Sequence, residues 1–106
     1  MELKELISKA KEKEVKAMEE LFHRFTPLLK SRAKRYSRIG LEYEEVFQQA
    51  ALLFIIAVYD YMERPPTTFA GYIKKSIDWG LWVYYRKYLK QKIEISYGLK
   101  PKDYKR

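Results

Sequence analysis

Apolar residues recur at intervals of three and four along almost the whole chain, and this spacing predicts amphipathic α-helices. The strict apolar-polar alternation of a half-buried strand is hard to find. Only four glycines and four prolines interrupt the pattern. The sequence therefore predicts an all-α fold, a compact bundle of about four helices. The expected helices span residues 2–10, 14–37, 42–63 and 69–92.

Two features refine the boundaries of these helices. Pro27 lies inside the second apolar stripe, and because the spacing continues across it we expect a bend rather than an end. The paired prolines Pro65 and Pro66 end the third helix, and the threonine before Phe69 can cap the fourth.

The third helix is apolar nearly all round over residues 50–58, which leaves two interpretations open. It is either the buried central helix or a helix that offers one side to a partner.

The fourth helix carries two different faces. At 100° per residue one face is expected to pack on the core, with Gly80 allowing a close helix approach. Its members are Phe69, Ile73, Ser76, Ile77, Gly80, Val83 and Tyr84. Another sector places Lys75, Trp79, Trp82 and Arg86 in a row. Since two indoles are costly to expose, we expect the first helix, the C-terminal tail or a ligand to cover them.

The charge distribution singles out the same end of the chain. The net charge is +8, and residues 64–106 carry 11 basic and 3 acidic side chains, while residues 1–63 are balanced. The same C-terminal stretch holds nine of the 17 aromatic residues. Cations suit a phosphate backbone and flat rings suit unstacked bases, which is typical of single-stranded nucleic-acid binding. A solvated basic helix whose rings belong to the core is the alternative. We expect one helical domain over residues 1–92 and a basic, flexible tail over residues 93–106.

Several classes of chemistry find no support in the sequence. There is no cysteine, and His23 is the single histidine, so neither a thiolate nor a histidine-rich metal site is expected. No phosphate loop, nucleophile elbow or zinc-protease motif is present. We therefore expect no enzyme activity, no metal and no cofactor. The charged N-terminus and the short apolar run predict neither a signal peptide nor a membrane span, and a cytoplasmic protein is expected.

Three segments, in order, carry a family resemblance. Residues 18–29 (MEELFHRFTPLL), 45–50 (EVFQQA) and 68–73 (TFAGYI) are similar to the motifs of region 2 of bacterial RNA polymerase sigma factors, particularly the extracytoplasmic-function type. The resemblance covers residues 17–91. It implies a free-standing region 2 without region 4, which docks on the clamp coiled coil of RNA polymerase core and contacts the single-stranded −10 element of promoter DNA.

The resemblance also implies two sets of contact residues. The polymerase-binding positions are Glu45, Gln48, Gln49 and Ile55. The DNA-binding positions, combined with the basic and aromatic face described above, are Phe69, Tyr72, Lys74, Lys75, Trp79, Trp82, Arg86, Lys87 and Lys90. Tyr72 takes the place of the aromatic residue that stacks on a flipped base in the family. Where principal sigma factors have a Trp-Trp pair, this chain has Lys75-Ser76.

Two other functions compete with a sigma-like protein. One is a regulator that binds the transcription machinery through the apolar third helix and has little affinity for DNA. The other is a mobile-element protein that binds double-stranded DNA with its basic helix in the major groove. For the sigma-like protein, a separate region-4-like partner is expected to supply recognition of the −35 element.

Overall fold

The computed structural model describes residues 2–98, and this part of the chain is built from α-helices. The four helices are α1 (Leu3–Lys11), α2 (Val15–Ser37), α3 (Tyr43–Asp60) and α4 (Phe69–Tyr97). No strand is present among residues 2–98; an isolated bridge joins Arg64 and Thr67 in the loop before α4. The predicted all-α fold is confirmed. Helix α2 also runs through Pro27 without ending, as the continuous apolar spacing predicts.

The core lies where α2, α3 and α4 meet, with α1 packed against α2. Phe54 of α3 is fully buried at its centre and contacts two rings of α2. Its centroid lies 5.9 Å from that of Phe22 and 5.4 Å from that of Phe25. Aromatic pairs at these separations add to the free energy gained from apolar burial. The bundle thus holds α4 mainly through α3 and through rings that α2 contributes.

Two helix ends differ from their predicted positions. Helix α3 stops at Asp60 rather than at residue 63, because Tyr61 is extended and its ring packs 5.0 Å from that of Phe69. Helix α4 continues to Tyr97, past the predicted end at residue 92, and Gly98 terminates it at a φ of 68°. Such a left-handed residue is a common helix terminus, and glycine adopts it without strain. Residues 93–97 therefore belong to helix α4, while residues 99–106 of the predicted tail lie outside the described residues.

Thr68 starts α4 as a side-chain cap. Its hydroxyl oxygen accepts a hydrogen bond of 3.0 Å from the backbone N–H of Gly71. This bond satisfies one of the backbone donors that the first turn of a helix leaves unpaired. The predicted threonine cap is confirmed, and it marks the N-terminal end of α4.

The inward face of α4 differs from the prediction at one position. Phe69, Ile73 and Ile77 are buried as expected, but Val83 is exposed and Leu81 is fully buried in its place. Val83 lies about 200° around the helix from Leu81, so the two cannot face the core together. The prediction for Val83 was therefore wrong.

Gly80 allows α3 and α4 to approach closely, as the sequence predicts. A Cβ atom at this position would lie 2.5 Å from Cδ2 of Leu53, well inside van der Waals contact. We expect Gly80→Val to lower the free energy of unfolding by about 1–3 kcal/mol, because the added atoms overpack this crossing. Urea denaturation measures the loss. The matched control is Gln91→Val, which introduces a valine at an exposed position of α4. An equal loss of stability in both variants would refute the packing explanation.

One ion pair joins α2 to α4. Nε of Arg32 lies 2.6 Å from Oδ1 of Asp78, and Nη2 lies 3.4 Å from Oδ2. The Arg32 side chain is only 10% exposed, whereas that of Asp78 is 37% exposed. A guanidinium removed from water needs a hydrogen-bonded counterion, and Asp78 supplies it. This pair sets the position of α4 beside the C-terminal half of α2.

Candidate nucleic-acid interface

The outward face of α4 carries cations and indoles in a single row. At 100° per residue five side chains fall within a sector of about 80°, opposite the buried face. They are Lys75, Trp79, Trp82, Arg86 and Lys90, all exposed, and we call them the aromatic-basic stripe. The stripe extends for about 22 Å along the helix, at 1.5 Å per residue. It presents positive charge and ring faces to the same solvent region.

The two indoles of the stripe are open to solvent within the described structure. Trp79 is 68% exposed and Trp82 is 46% exposed. Helix α1 therefore does not cover them, and residues 99–106 lie outside the described part of the chain. Two large exposed rings on one helix face are typical of a surface that binds a partner.

A row of tyrosines supports Trp82 from the side of α2. The Trp82 ring lies 6.1 Å from that of Tyr85, which lies 5.4 Å from that of Tyr36 on α2. Tyr88 stacks on Tyr85 at 6.5 Å and donates a hydrogen bond of 3.1 Å to the carbonyl of Gly40. We call Tyr36, Trp82, Tyr85 and Tyr88 the aromatic seam. Burial raises the pKa of the Tyr36 phenol above its ordinary value of 10.0, and the Asp78 carboxylate raises it too, so this ring is neutral near pH 7.

The structure separates the other predicted DNA-binding residues into three groups. Phe69 is buried between the rings of Phe25 and Tyr61, so it anchors α4 and cannot stack on a base. Tyr72 is half-buried, with its ring 5.4 Å from that of Tyr61. Lys74 and Lys87 are exposed but lie about 100° or more from the centre of the stripe, on opposite sides. The prediction for Phe69 is thus corrected, because its ring belongs to the core.

A second exposed surface runs along α3. Its members recur at spacings of three and four, the interval of one helix face. They are Glu45, Gln48, Gln49, Leu52, Ile55, Ile56 and Tyr59, which we call the α3 stripe; Gln49 is half-buried and the others are exposed. The N-terminal part is polar, and the C-terminal part is apolar: Leu52 is 53% exposed and Ile56 47%. The opposite face of α3 is buried through residues such as Val46 and Phe54. Helix α3 is therefore buried on one face and exposed on the other within the described residues.

A third surface was missed by the sequence reasoning. The C-terminal half of α2 and the start of the following turn expose Lys30, Lys34, Arg35 and Arg38, which we call the basic edge. The signal was available, because no acidic residue occurs between Glu20 and Glu42. The local excess of positive charge was missed because charge was summed over residues 1–63, which together carry equal numbers of positive and negative side chains.

The helices α1 to α3 coincide with a known domain type. A family model described as a helix-turn-helix domain matches residues 4–62, more than half of the chain. The chain belongs to the helix-turn-helix domain family. No curated protein and no solved structure matches it. Helix-turn-helix domains bind DNA, so membership indicates a DNA-binding regulator.

The charges of this helix-turn-helix domain are unusual for direct readout of DNA. The turn between α2 and α3 contains Gly40, with a φ of 110°, and leads into α3. In such motifs the N-terminal residues of the second helix contact base edges. Here the first turn of α3 carries Glu44 and Glu45, and the helix contains no Lys or Arg. Positive charge lies instead on α2, within the matched residues, and on α4, which lies outside them.

Two further properties concern the described part of the chain. None of the helices within residues 2–98 has the length and apolar content needed to cross a lipid bilayer. Over the same residues no group of three His, Asp or Glu side chains is placed to hold a metal ion.

Proposed function

We propose that this helix-turn-helix protein is a sigma-factor-like transcription initiation protein, similar to sigma region 2. In this proposal the α3 stripe docks on the clamp coiled coil of bacterial RNA polymerase core, and the aromatic-basic stripe of α4 contacts the single-stranded −10 element of promoter DNA. The observation that supports it best is the separation of chemistry between two exposed helix faces. One face is acidic and apolar, and the other is cationic and aromatic.

The chemistry of α4 suits a single strand. Exposed indoles offer stacking platforms to unpaired bases, and the cations on either side of them can contact the phosphates. Lys75 precedes the two Trp side chains along the stripe, and Arg86 and Lys90 follow them. Flipping a base costs a few kcal/mol, and stacking together with phosphate contacts offsets this cost. Where the family's Trp-Trp pair would lie, Lys75-Ser76 provides no wedge, so the proposal assigns α4 to binding the exposed strand rather than to opening the duplex.

The chemistry of α3 suits a protein partner. Its exposed part carries the carboxylates Glu44 and Glu45 and no cation, so a phosphate backbone would be repelled. The apolar side chains farther along, such as Leu52 and Ile56, gain free energy when a partner removes them from water. The proposal involves no catalytic step, because binding to the polymerase and to DNA accounts for the function. Its site of action is the cytoplasm, where the polymerase is found.

The α3 stripe predicts a specific loss of polymerase binding. We expect the double variant Glu45→Lys, Gln48→Ala to reduce association with purified bacterial RNA polymerase core by about tenfold or more, because it reverses a charge and removes an amide from the docking face. A pull-down of the core enzyme with the full chain, followed by titration, measures the loss. Binding of a single-stranded oligonucleotide is expected to be unchanged.

The control is the variant Trp79→Ala, which changes α4 and leaves the α3 stripe intact. It should retain polymerase binding and lose affinity for the oligonucleotide. Unchanged polymerase binding by the α3 variant, or no polymerase binding by the unmodified chain, would contradict the proposed docking. Loss of both activities in one variant would trace the effect to unfolding, which circular dichroism detects.

The exposed apolar part of α3 also favours a second candidate function. A regulator that binds the transcription machinery through this face would need no contact with DNA. The two functions differ in salt dependence, since each neutralised phosphate of a single strand releases about 0.7 counterions. A measurable affinity for the oligonucleotide that falls steeply with salt supports the sigma-like function. An affinity too weak to measure at low salt supports the regulator.

A further inference from the structure

We propose that the outward face shared by α3 and α4 binds a second copy of this chain, forming a two-fold symmetric dimer. In this dimer α3 of one protomer lies on α4 of its partner, and the same contact repeats with the two protomers exchanged. The inference goes beyond the proposed function and does not depend on it, because the dimer needs neither polymerase nor DNA.

Two contacts determine how α3 and α4 lie beside each other. The ring of Tyr61, directly after α3, packs 5.0 Å from that of Phe69 at the start of α4. Leu53, earlier in α3, lies against Gly80, later in α4. The two helices are therefore antiparallel. A residue some distance before Leu53 is level with a residue the same distance after Gly80, and we call the contact of these two residues the α3–α4 crossing.

The exposed parts of α3 and α4 point to the same side of the molecule. Leu52 lies about 160° around α3 from Phe54, which contacts two rings of α2. Trp79 lies about 160° around α4 from the fully buried Ile77. Each of the two exposed side chains is also next in sequence to the residue at the crossing. Leu52 and Trp79 therefore lie side by side on one face, opposite α2.

The centre of this shared face is apolar. Leu52 and Trp79 adjoin the crossing, and Ile56 and Val83 lie about 5 Å from it along their helices. All four side chains are exposed, and Val83 is the least so at 37%. A contiguous group of large exposed apolar side chains is typical of a surface that binds a protein partner.

Opposite charges flank this centre on the two helices. On one side Glu45 of α3 and Arg86 of α4 lie about 12 and 9 Å from the crossing. On the other side Asp60 of α3 and Lys75 of α4 lie about 11 and 8 Å from it. All four are exposed, and none of them forms an ion pair within residues 2–98. Helix α3 thus has a carboxylate at each end of its apolar part, and α4 has a cation at each end.

One symmetry axis matches both patterns at once. A two-fold axis that runs between α3 and α4, parallel to them, places α3 of the partner on α4 and keeps every residue at its own level along the helices. Glu45 then meets Arg86 of the other protomer, Asp60 meets Lys75, and the two apolar centres face each other. Because such an isologous contact forms each pair twice, the dimer is closed and does not grow into a filament.

The dimer covers part of both surfaces described above. Glu45 belongs to the α3 stripe, and Trp79 belongs to the aromatic-basic stripe. A second copy of the chain therefore competes with any other partner of these surfaces. The dimer is a form that has to dissociate before either stripe binds something else.

The test measures the oligomeric state of the full chain by sedimentation velocity and light scattering, without polymerase or nucleic acid. The unmodified chain should pass from monomer to dimer as its concentration rises toward millimolar. Ile56→Arg should raise the dissociation constant of the dimer by about tenfold or more, because it places a cation in the apolar centre. The matched control is Val15→Arg, which introduces an arginine at an exposed apolar position of α2 and should leave the dimer unchanged.

Charge reversal adds a test that only contact between two chains can pass. Glu45→Arg and Arg86→Glu each bring like charges together twice, so each variant alone should be monomeric at concentrations where the unmodified chain is dimeric. In an equimolar mixture each altered charge meets an opposite one, and the dimer should return.

Three results would overturn the proposal. They are an unmodified chain that stays monomeric at every concentration, an equal loss in Ile56→Arg and Val15→Arg, and a mixture of the two charge variants that does not associate. Since none of these measurements contains polymerase or DNA, failure of the dimer is distinct from failure of the proposed function.

Discussion

Replacing both exposed indoles by alanine, Trp79→Ala with Trp82→Ala, is expected to weaken binding of a single-stranded −10-like oligonucleotide by about 2–6 kcal/mol. The basis is the stacking of one base on each ring, worth about 1–3 kcal/mol per base. Both rings lie on the outward face of α4 and outside the core, so their removal should leave the fold intact. Fluorescence anisotropy with a labelled strand of about 15 nucleotides measures the change.

The salt dependence sharpens this test. Because an indole carries no charge, the variant should lose affinity while the slope of log affinity against log salt stays the same. Arg86→Gln, in the same stripe, should instead lower that slope by about 0.7. The control is Tyr59→Ala, which removes an exposed ring from α3 and should leave oligonucleotide binding unchanged. If the Trp variants bind as well as the unmodified chain, the stripe is not the site.

Breaking the ion pair between α2 and α4 is expected to have the largest effect on stability. Asp78→Ala leaves the guanidinium of Arg32, which is 10% exposed, without its carboxylate. Removing one partner of a buried pair costs about 3–5 kcal/mol, and the partial exposure of Asp78 favours the lower end of this range. Chemical denaturation in urea, followed by circular dichroism, measures the free energy of unfolding.

A double-mutant cycle isolates the pair from its surroundings. Arg32→Met with Asp78→Ala removes both charges, and its loss should be smaller than that of Asp78→Ala alone, because no uncompensated charge is left behind. The matched control is Glu20→Ala, which breaks the exposed pair with Arg24 and should cost less than about 1 kcal/mol. A loss for Asp78→Ala no greater than for Glu20→Ala would show that the α2–α4 pair contributes little.

The sequence pattern was sufficient to predict the four helices and the outward face of α4 that carries the indoles. The 3.6-residue period separates two faces wherever they differ in polarity, and in α4 a row of isoleucines lies opposite a row of lysines and tryptophans. The period could not separate the faces of α3, because Leu52 and Ile56 are as apolar as the buried Phe54 and Val58. Which apolar face is covered depends on how much chain is left to cover it, and that is a property of the whole bundle.

Contacts between neighbouring helices could not be predicted from the sequence pattern either. Phe69 matches a family motif and sits at the start of a basic helix, yet its ring fills a space between Phe25 and Tyr61. The pairing of Arg32 with Asp78 joins residues 46 positions apart, which no local period reports. The basic edge of α2 was missed for a different reason, since charge was summed over too long a stretch of chain.

The aromatic seam makes the two exposed indoles of α4 differ in how firmly each ring is held. Trp82 rests on Tyr85, which rests on Tyr36, so its rotamer is restrained before any nucleotide arrives. Within residues 2–98 the Trp79 ring has no comparable aromatic contact, and Trp79 is the more exposed of the two. A ring that is already held loses less freedom when a base stacks on it, and preorganisation of this kind converts contact area into affinity. In the proposed complex with a single strand, Trp82 is therefore expected to be the more rigid stacking platform and Trp79 the more mobile one.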